Sequence, residues 1–204
     1  MTAELMRWFP TLILKKSLPE FDQHLDYLAD KAYDLRRQLP GTKTGWNCDT
    51  YNTLDNYKLE EDRDQIVHDL AQHCIMECYE FSREFGVNKP IEKFRCVDFW
   101  FNIAGAGAYQ EFHQHANSHF SLVYYVRTPK DCGNIIFQNP TTPTDMYNLP
   151  IEKFNVNSFR SCNYTPEQGS ILLFRSNLAH MVEKNLSGED RISIAMNFRI
   201  DYDY

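Results

Sequence analysis

The second half of the chain, from Phe94 onward, consists of short apolar and aromatic runs instead of long periodic segments. Glycine, proline and asparagine separate these runs, which is typical of strands and turns. No segment between them has the length or spacing of a crossover helix, so a parallel sheet is disfavoured. The pattern therefore predicts an antiparallel sandwich or barrel. The runs are FRCVDFWFNI, HFSLVYYVR, GNIIFQ, GSILLFR and RISIAMNFRI.

The first half of the chain predicts two amphipathic helices. From 19 to 39, apolar residues recur at steps of three and four, and Pro40 with Gly41 ends the pattern. A second apolar stripe runs from about 62 to 85, with acidic residues at its start and Gly86 as a C-terminal cap. We expect both stripes to cover one face of the β-rich half.

We expect one domain over residues 1–204, with 1–93 as a mostly helical buttress and 94–204 as the β core. Within the core, residues 139–168 contain four prolines and no clear period. Loops of this length are uncommon in compact domains and are usually functional or disordered. The aromatic residues of this segment favour a lid that faces a substrate over a disordered insertion.

The chain carries a net charge of −7. This charge argues against a surface for nucleic acid, because non-specific affinity for nucleic acid comes from clustered lysines and arginines. No apolar run reaches the roughly 18 residues that cross a bilayer, and the N-terminal segment lacks the pattern of an export signal. The six cysteines include no C-x-x-C pair and are expected to be reduced. We therefore expect a cytoplasmic protein without membrane association, whose oligomeric state the sequence leaves open.

Three histidines fall within seven positions of the segment EFHQHANSH. Alternate side chains of a strand share a face, so His113 and His115 would project together, with Glu111 on the same side. Two imidazoles at this spacing can reach one metal ion. An isolated H-x-H pair is more often a pair of solvated loop histidines, so a metal site needs support from elsewhere in the chain. We expect His119 to line the pocket or to be exposed.

The C-terminal segment GSILLFRSNLAHMVEKNLSGEDRISIAMNF supplies this support through His180 and Arg191. We interpret it as two strands that form a hairpin or lie next to each other, joined by a turn-rich segment. In the second strand, Arg191 and Ser193 share a face with small side chains, and the opposite face is apolar. A guanidinium can bind a carboxylate through two parallel hydrogen bonds, and a nearby hydroxyl can add another. A lone arginine is more often a surface residue, but the spacing from His180 favours an anionic ligand.

The order of these motifs resembles that of the Fe(II)/2-oxoglutarate-dependent oxygenases of bacteria and their phages. The similarity covers most of the chain, including WFPT and GWNCDTYN in the first half. Its most specific part combines H-x-H near the middle with H-x10-R-x-S near the end. The other matching segments are FWFN, GAYQEFHQH, SLVYYV and GNIIFQNP.

The resemblance implies a mainly β fold with N-terminal helices. Its core would be a double-stranded β-helix, a squashed antiparallel jelly-roll barrel, buttressed by the two amphipathic helices. It also implies Fe(II) as the metal, with 2-oxoglutarate and O2 as co-substrates. His113 and His180 would be metal ligands, and Arg191 with Ser193 would bind the distal carboxylate of 2-oxoglutarate.

Two further positions match the pocket of the family. Asn102 and Tyr109 are expected to contact the co-substrate. The third metal ligand is a departure, because the commonest facial triad has two histidines and one carboxylate, whereas the middle position here is His115. Three interpretations follow: His115 completes a catalytic three-histidine site, water takes the third place, or Glu111 replaces it. We favour His115.

The resemblance further implies a dioxygenase that oxidises a C–H bond, by hydroxylation, in a small-molecule or peptide substrate of unknown identity and releases succinate and CO2. Desaturation and halogenation begin with the same chemistry and stay open. One alternative is a three-histidine, cupin-like metalloenzyme that does not use 2-oxoglutarate, in which Arg191 and Ser193 would have no shared role. Another is a non-catalytic β-barrel binding module whose histidines are structural.

Overall fold

Two antiparallel sheets pack face to face in the computed structural model, which describes residues 3–6, 8–43, 50–141 and 150–202. The larger sheet contains β1 (Ile13–Ser17), β2 (Thr50–Asn52), β3 (Phe94–Ala104), β5 (Phe120–Arg127), β8 (Ser170–Arg175) and β10 (Arg191–Ile200). Its spatial order is β1-β8-β5-β10-β3-β2. The smaller sheet contains β4 (Gln110–His113), β6 (Ile135–Gln138), β7 (Ser161–Tyr164) and β9 (His180–Val182), in the order β4-β9-β6-β7.

The chain passes from one sheet to the other at every connection between β3 and β10 except the one from β6 to β7. This connectivity winds the two sheets into a double-stranded β-helix, and every strand pair in it is antiparallel. The expected fold class, a mainly β antiparallel jelly roll, is confirmed.

Strand β10 lies at the centre of the larger sheet, between β3 and β5. Its apolar face is fully buried against the helices and belongs to the main hydrophobic core. Burial of each such side chain contributes about 1.5–3 kcal/mol to folding. The opposite face carries Arg191, Ser193 and Ala195, which line a cavity between the two sheets. The alternation within this strand therefore separates the core from the cavity, as the sequence predicted.

Two α-helices cover the outer face of the larger sheet. The first, α1 (Leu25–Gln38), follows a 3₁₀ turn at Pro19–His24, and the second is α2 (Gln65–Arg83). Their buried side chains join the apolar face of the larger sheet in one core cluster. Both helices lie where the periodicity predicted them, with the ends shortened by a few residues. Among the described residues, no helix combines the length and the apolarity needed to cross a bilayer.

The prediction that the strands of His180 and Arg191 form a hairpin or lie next to each other is wrong. Strand β9 pairs with β4 and β6 in the smaller sheet, whereas β10 pairs with β3 and β5 in the larger one. The connecting segment crosses between the sheets and is held by Asn185, whose side chain donates to the carbonyl of Ala104 at 2.8 Å. Turn-forming residues occur in both kinds of connection, so their presence did not distinguish a hairpin from a crossing.

The long segment 139–168 is not a loop throughout. Residues Ser161–Tyr164 form β7 and pair with β6 at the edge of the smaller sheet. The strand SCNY is short, and three of its four residues are exposed, so it shows no apolar alternation. Residues 142–149 of this segment lie outside the described residues, as do residues 45–49 of the GWNCDTYN motif, which include Cys48. The expected role of 139–168 as a lid stays a prediction.

Candidate metal and co-substrate site

A cavity of about 400 Å³ lies between the two sheets of the barrel. Both sheets contribute to its walls: the polar face of β10 comes from the larger sheet, and residues of β4, β6 and β9 come from the smaller sheet. The three histidines that the sequence singled out and the arginine of β10 line this same cavity. The fold therefore brings together residues that lie as far apart in the chain as His113 and Arg191.

The three histidines form one compact group. A ligand nitrogen from each of His113, His115 and His180 lies within 4.8 Å of the other two, and the structure shows no other group of this kind among its described residues. His113 and His180 sit opposite each other in the β4–β9 ladder, with ring centroids 4.2 Å apart. His115 follows β4 and lies 5.2 Å from each of them, centroid to centroid.

Two of these rings are oriented by the backbone. Nδ1 of His113 donates to the carbonyl of Glu111 at 2.7 Å, and Nδ1 of His180 donates to the carbonyl of Leu178 at 2.9 Å. A carbonyl oxygen only accepts, so the proton of each neutral ring is on Nδ1. The unprotonated Nε2 of each ring is then available to a metal ion, which is the usual arrangement at histidine metal sites.

Burial keeps all three imidazoles neutral. It lowers the pKa of His180 to about 3, with a further contribution from neighbouring His113. Burial also lowers the pKa of His115 to about 4, although the charge of Asp98 acts in the opposite direction. The pKa of His113 is lowered for the same reason, despite its hydrogen bond to Glu111. Because a metal ion binds the neutral ring, the group is ready for metal at neutral pH.

Arg191 provides the cationic end of the cavity. Its side chain is 5% exposed, and Nη1 donates to the carbonyl of Cys132 at 2.9 Å. No ion pair joins this guanidinium to an acidic residue of the described chain. Burial lowers its pKa from the usual value for arginine. A buried cation without a counter-ion is costly unless an anion binds it, so this end of the cavity suits an anionic ligand.

Three polar side chains lie in one row across neighbouring strands beside Arg191. Ser193 on β10 is in register with Asn102 on β3 and with Tyr125 on β5. All three are buried, and all three line the cavity. The buried Oδ1 of Asn102 has no hydrogen-bond partner in the described chain. An unpaired buried polar atom costs about 1–3 kcal/mol, so this amide also favours a bound ligand.

Three other residues that the sequence singled out, Tyr109, Glu111 and His119, lie outside the metal-ligand group. Tyr109 does not line this cavity; it lies on the wall of a neighbouring cavity of about 850 Å³, and its contact with a co-substrate stays a prediction. The carboxylate of Glu111 is not part of the metal-ligand group. His119 accepts a hydrogen bond from the backbone N–H of Ile200 at 3.0 Å, so it holds the end of β10 rather than lining the cavity.

The sequence analysis missed several residues of the cavity. Tyr125 lies close enough to Arg191 for the arginine charge to oppose the rise in its pKa that burial causes. Its alternation with Ser121 and Val123 on β5 was a usable signal, because those two residues also line the cavity. The rim residues Thr42, Lys43, Leu54 and Asp55 come from the first half of the chain, and no local pattern connects them to the histidines.

The donors in the cavity fit both an iron ion and 2-oxoglutarate. Neutral imidazoles suit Fe(II) among the first-row metals, and the three available nitrogens are close enough to share one ion. The dicarboxylate would find its charge partner in the buried guanidinium of Arg191, which lies in the same cavity as the histidines.

The comparison of this sequence with known families agrees with the site. The profile of a family described as "Putative 2OG-Fe(II) oxygenase" matches residues 98–197. The matched segment begins in β3, ends in β10 and includes all three histidines. Among curated proteins, no sequence matches this chain.

Solved structures with the same fold resemble nearly the whole chain. The prolyl-4-hydroxylase of Pseudomonas putida is 15% identical, with a TM-score of 0.62 over 94% of both chains. HygX of Streptomyces hygroscopicus, with nickel and 2-oxoglutarate bound, is 13% identical, with a TM-score of 0.62 over 94% of this chain and 84% of its own. The non-heme α-ketoglutarate-dependent epimerase SnoN from nogalamycin biosynthesis is 12% identical, with a TM-score of 0.67 over 93% of this chain and 77% of its own.

Identities this low establish a shared fold and not a shared reaction. The family profile adds more, because it spans the strands that carry the histidines and Arg191. Residues 98–197 therefore match the 2OG-Fe(II) oxygenase family, whose cofactor is Fe(II) and whose co-substrates are 2-oxoglutarate and O2, and the three histidines of this segment can hold the iron.

Proposed function

We propose that this protein is a dioxygenase that hydroxylates a C–H bond of a small molecule or of a peptide side chain, with release of succinate and CO2. The observation that carries the proposal is the content of one cavity: three neutral imidazoles and a buried guanidinium without an acidic partner among the described residues. A metal-binding group without the arginine would suit many enzymes. The combination suits a metal ion and a dicarboxylate bound side by side.

The iron, when bound with 2-oxoglutarate, supplies the oxidative decarboxylation and the activation of O2. His113, His115 and His180 would hold it on one face and leave the other positions to co-substrates. Their lowered pKa values keep the rings unprotonated near neutral pH. The hydrogen bonds from Nδ1 of His113 and His180 to backbone carbonyls orient two of the three rings before metal arrives.

At the other end of the cavity, Arg191 would bind the distal carboxylate of 2-oxoglutarate. Ser193 would add a hydrogen bond from the same face of β10. Burial raises the pKa of Tyr125 despite the nearby arginine charge, so its hydroxyl stays protonated and can donate to the same carboxylate. Charge-assisted contacts of this kind are stronger than neutral hydrogen bonds, so they would hold the co-substrate in one orientation.

The substrate would approach past the rim residues Thr42, Lys43, Leu54 and Asp55, which line the same cavity. Hydroxylation is supported by the prolyl-4-hydroxylase among the structures with this fold, although the same fold also serves the epimerase SnoN. Deeper in the cavity, Ile135, Phe174 and Val182 contribute apolar surface, which limits the access of water to the reacting groups.

Anaerobic calorimetry tests the proposal. Mn(II), a redox-inert substitute for Fe(II), should bind the metal-free protein with one-to-one stoichiometry. 2-Oxoglutarate should then bind only when the metal is present. The variant His180→Ala should lose Mn(II) binding, because it removes the most buried of the three ligands.

Each contrary outcome points to a different alternative. Metal binding without any binding of 2-oxoglutarate would favour a three-histidine enzyme of the cupin type. No metal binding at all would favour a binding module. Retained metal affinity in His180→Ala would contradict the proposed ligand set.

A further inference from the structure

His115 is held differently from the other two histidines. His113 and His180 lie on paired strands, and each ring is oriented by a hydrogen bond to a backbone carbonyl. His115 lies in the loop 114–119 between β4 and β5, and its ring makes no hydrogen bond to the described chain. Its position in the metal-ligand group therefore depends on how this loop is fixed.

Ser176 makes three hydrogen bonds to this loop and a fourth to Ser121 of β5. Its carbonyl accepts from the backbone N–H of His115 at 3.0 Å, and its own N–H donates to the carbonyl of His119 at 3.1 Å. Its hydroxyl lies 2.9 Å from the hydroxyl of Ser118 and 2.9 Å from that of Ser121. Ser176 is 1% exposed and directly follows β8, so it joins the loop to the larger sheet.

A series of buried and partly buried hydrogen bonds continues from Ser176 across the larger sheet. Ser121 on β5 donates to Oδ1 of Asn197 on β10 at 2.8 Å, and Nδ2 of Asn197 donates to the carboxylate of Asp98 on β3 at 2.8 Å. The strands that carry these residues are neighbours in the sheet. These hydrogen bonds therefore anchor the loop to the centre of the larger sheet, where β10 pairs with both β3 and β5.

The direction of these hydrogen bonds follows from their chemistry. The carboxylate of Asp98 accepts, so Asn197 must donate to it with its amide and accept from Ser121 with its oxygen. The single hydroxyl proton of Ser121 is then used, and Ser176 must donate to Ser121 and accept from Ser118. Every member has a partner in this order, and a fully satisfied buried network is rigid and specific.

We propose that Ser176 positions His115, supported by its hydrogen-bonded partners Ser121, Asn197 and Asp98. It fixes the loop 114–119 so that a nitrogen of His115 lies within 4.8 Å of the ligand nitrogens of His113 and His180. The inference rests on the proposed function, because it takes His115 to be a metal ligand. Ser176 acts through His115 and does not itself bind the metal.

The test is the affinity of the metal-free protein for Co(II), measured anaerobically by the visible absorption of the bound ion. Ser176→Ala should weaken Co(II) binding about tenfold, because loss of a residue that orients a metal ligand typically costs about 10- to 100-fold in affinity. The absorption should also weaken, since water would replace the displaced imidazole. Ser170→Ala is the matched control: Ser170 begins β8, the strand that Ser176 follows, is also 1% exposed, and its hydroxyl donates to the carbonyl of Glu167. This control should bind Co(II) like the unchanged protein.

A double-mutant cycle separates positioning from general destabilisation. If Ser176 acts through His115, then Ser176→Ala should change the Co(II) affinity of His115→Ala by less than about twofold. An equal loss of affinity in both backgrounds would overturn the inference, and so would an unchanged affinity of the single variant.

Two further measurements keep the outcomes distinct. If Ser176→Ala does not fold, Ser118→Ala removes a half-buried hydroxyl of the loop itself and should also weaken Co(II) binding, with no effect in the His115→Ala background. An unchanged affinity in Ser118→Ala would then overturn the inference. Failure of the unchanged protein to bind Co(II) would overturn the proposed function and the inference together, whereas normal binding with an unaffected Ser176→Ala would overturn the inference alone.

Discussion

Arg191 is a buried cation of the cavity that forms no ion pair with an acidic residue of the described chain. Arginine is almost never fully buried without a partner, yet this side chain is 5% exposed and its only hydrogen bond within the described chain is to the carbonyl of Cys132. One carbonyl does not neutralise a cation. A bound anion would, so the surroundings of Arg191 suit an anionic ligand.

The affinity for 2-oxoglutarate should depend strongly on this residue. We expect Arg191→Ala to raise the dissociation constant of 2-oxoglutarate about 10- to 100-fold, because a charge-assisted hydrogen bond contributes about 1.5–3 kcal/mol. Anaerobic calorimetry on the Mn(II) protein measures this constant directly.

Arg199→Ala is the control for this prediction. Arg199 lies on the same strand, but its side chain is 53% exposed and pairs with Asp201. We expect no change in the binding of 2-oxoglutarate. If the two variants bound the co-substrate equally well, Arg191 would be a structural residue.

The sequence predicted the location of some residues of the site and not of others. Arg191 and Ser193 were assigned to the cavity from alternation within one strand, and the structure places both there. Tyr125 and Ser176 were not predicted: the alternation on β5 could have indicated Tyr125, whereas a single serine after β8 has no local signature of function. They are defined by neighbours on other strands.

At the scale of elements, the start of α2 shows how one side chain joins two helices. Asp64 caps α2 by accepting from the backbone N–H groups of Ile66 and Val67. The same carboxylate accepts a hydrogen bond from Tyr27 of α1 and pairs with Lys31 of α1 at 2.9 Å. Burial alone would raise the pKa of Asp64, but the hydrogen bonds from Tyr27 and Lys31 lower it below its usual value.

We expect Asp64→Ala to reduce the free energy of unfolding by about 1–3 kcal/mol, because it removes a helix cap and a partly buried ion pair. Asp64→Asn keeps an oxygen that can cap the helix and should lose less. Denaturant unfolding at pH 7 measures both. Equal losses in the two variants would show that the charge contributes more than the cap.

The dependence on pH follows from the lowered pKa of Asp64. Below its unfolded-state pKa of about 3.9, the unfolded chain takes up a proton that the folded chain still excludes. The stabilisation is therefore complete above this pH and is lost as the pH falls through the lower folded-state pKa. In Asp64→Asn, the decline of unfolding free energy with acid should be shallower, as measured by denaturant unfolding at several acidic pH values.

Elements were predicted well where an apolar period was long and poorly where it was short. The five runs of the second half correspond to β3, β5, β6, β8 and β10. The strands β7 and β9 have four and three residues, which is too short for alternation to be recognised. The assumed hairpin failed for a related reason, since β9 was not seen as a strand of another sheet.

At the scale of the whole molecule, the larger sheet has a different partner on each face. Its outer face packs on α1 and α2 in the main core, and its inner face forms the cavity with the smaller sheet. A ligand in this cavity contacts both sheets of the barrel. Binding is therefore coupled to the folded state as a whole, because the unfolded chain has no such cavity.

Metal should raise the melting temperature accordingly. At a free Mn(II) concentration of 100 times its dissociation constant, linkage predicts about 2.7 kcal/mol of added stability. For a chain of this size, this corresponds to a rise of about 5–11 °C. Anaerobic calorimetric scans with and without Mn(II) measure the shift, and His180→Ala should show none. A shift of the same size in that variant would place the metal elsewhere.

The sequence by itself determined the features that depend on local backbone geometry. Strand alternation placed Arg191 and Ser193 on one face of β10, and helical periodicity located α1 and α2. The H-x-H spacing singled out His113 and His115, but His115 lies in the loop after β4, so tertiary contacts decide its position. The tertiary structure alone decided which strands are neighbours: it set His180 opposite His113 and brought Tyr125 beside Ser193. These pairings depend on contacts between segments far apart in the chain, whose choice is made by the packing of two sheets and two helices and not by any local pattern.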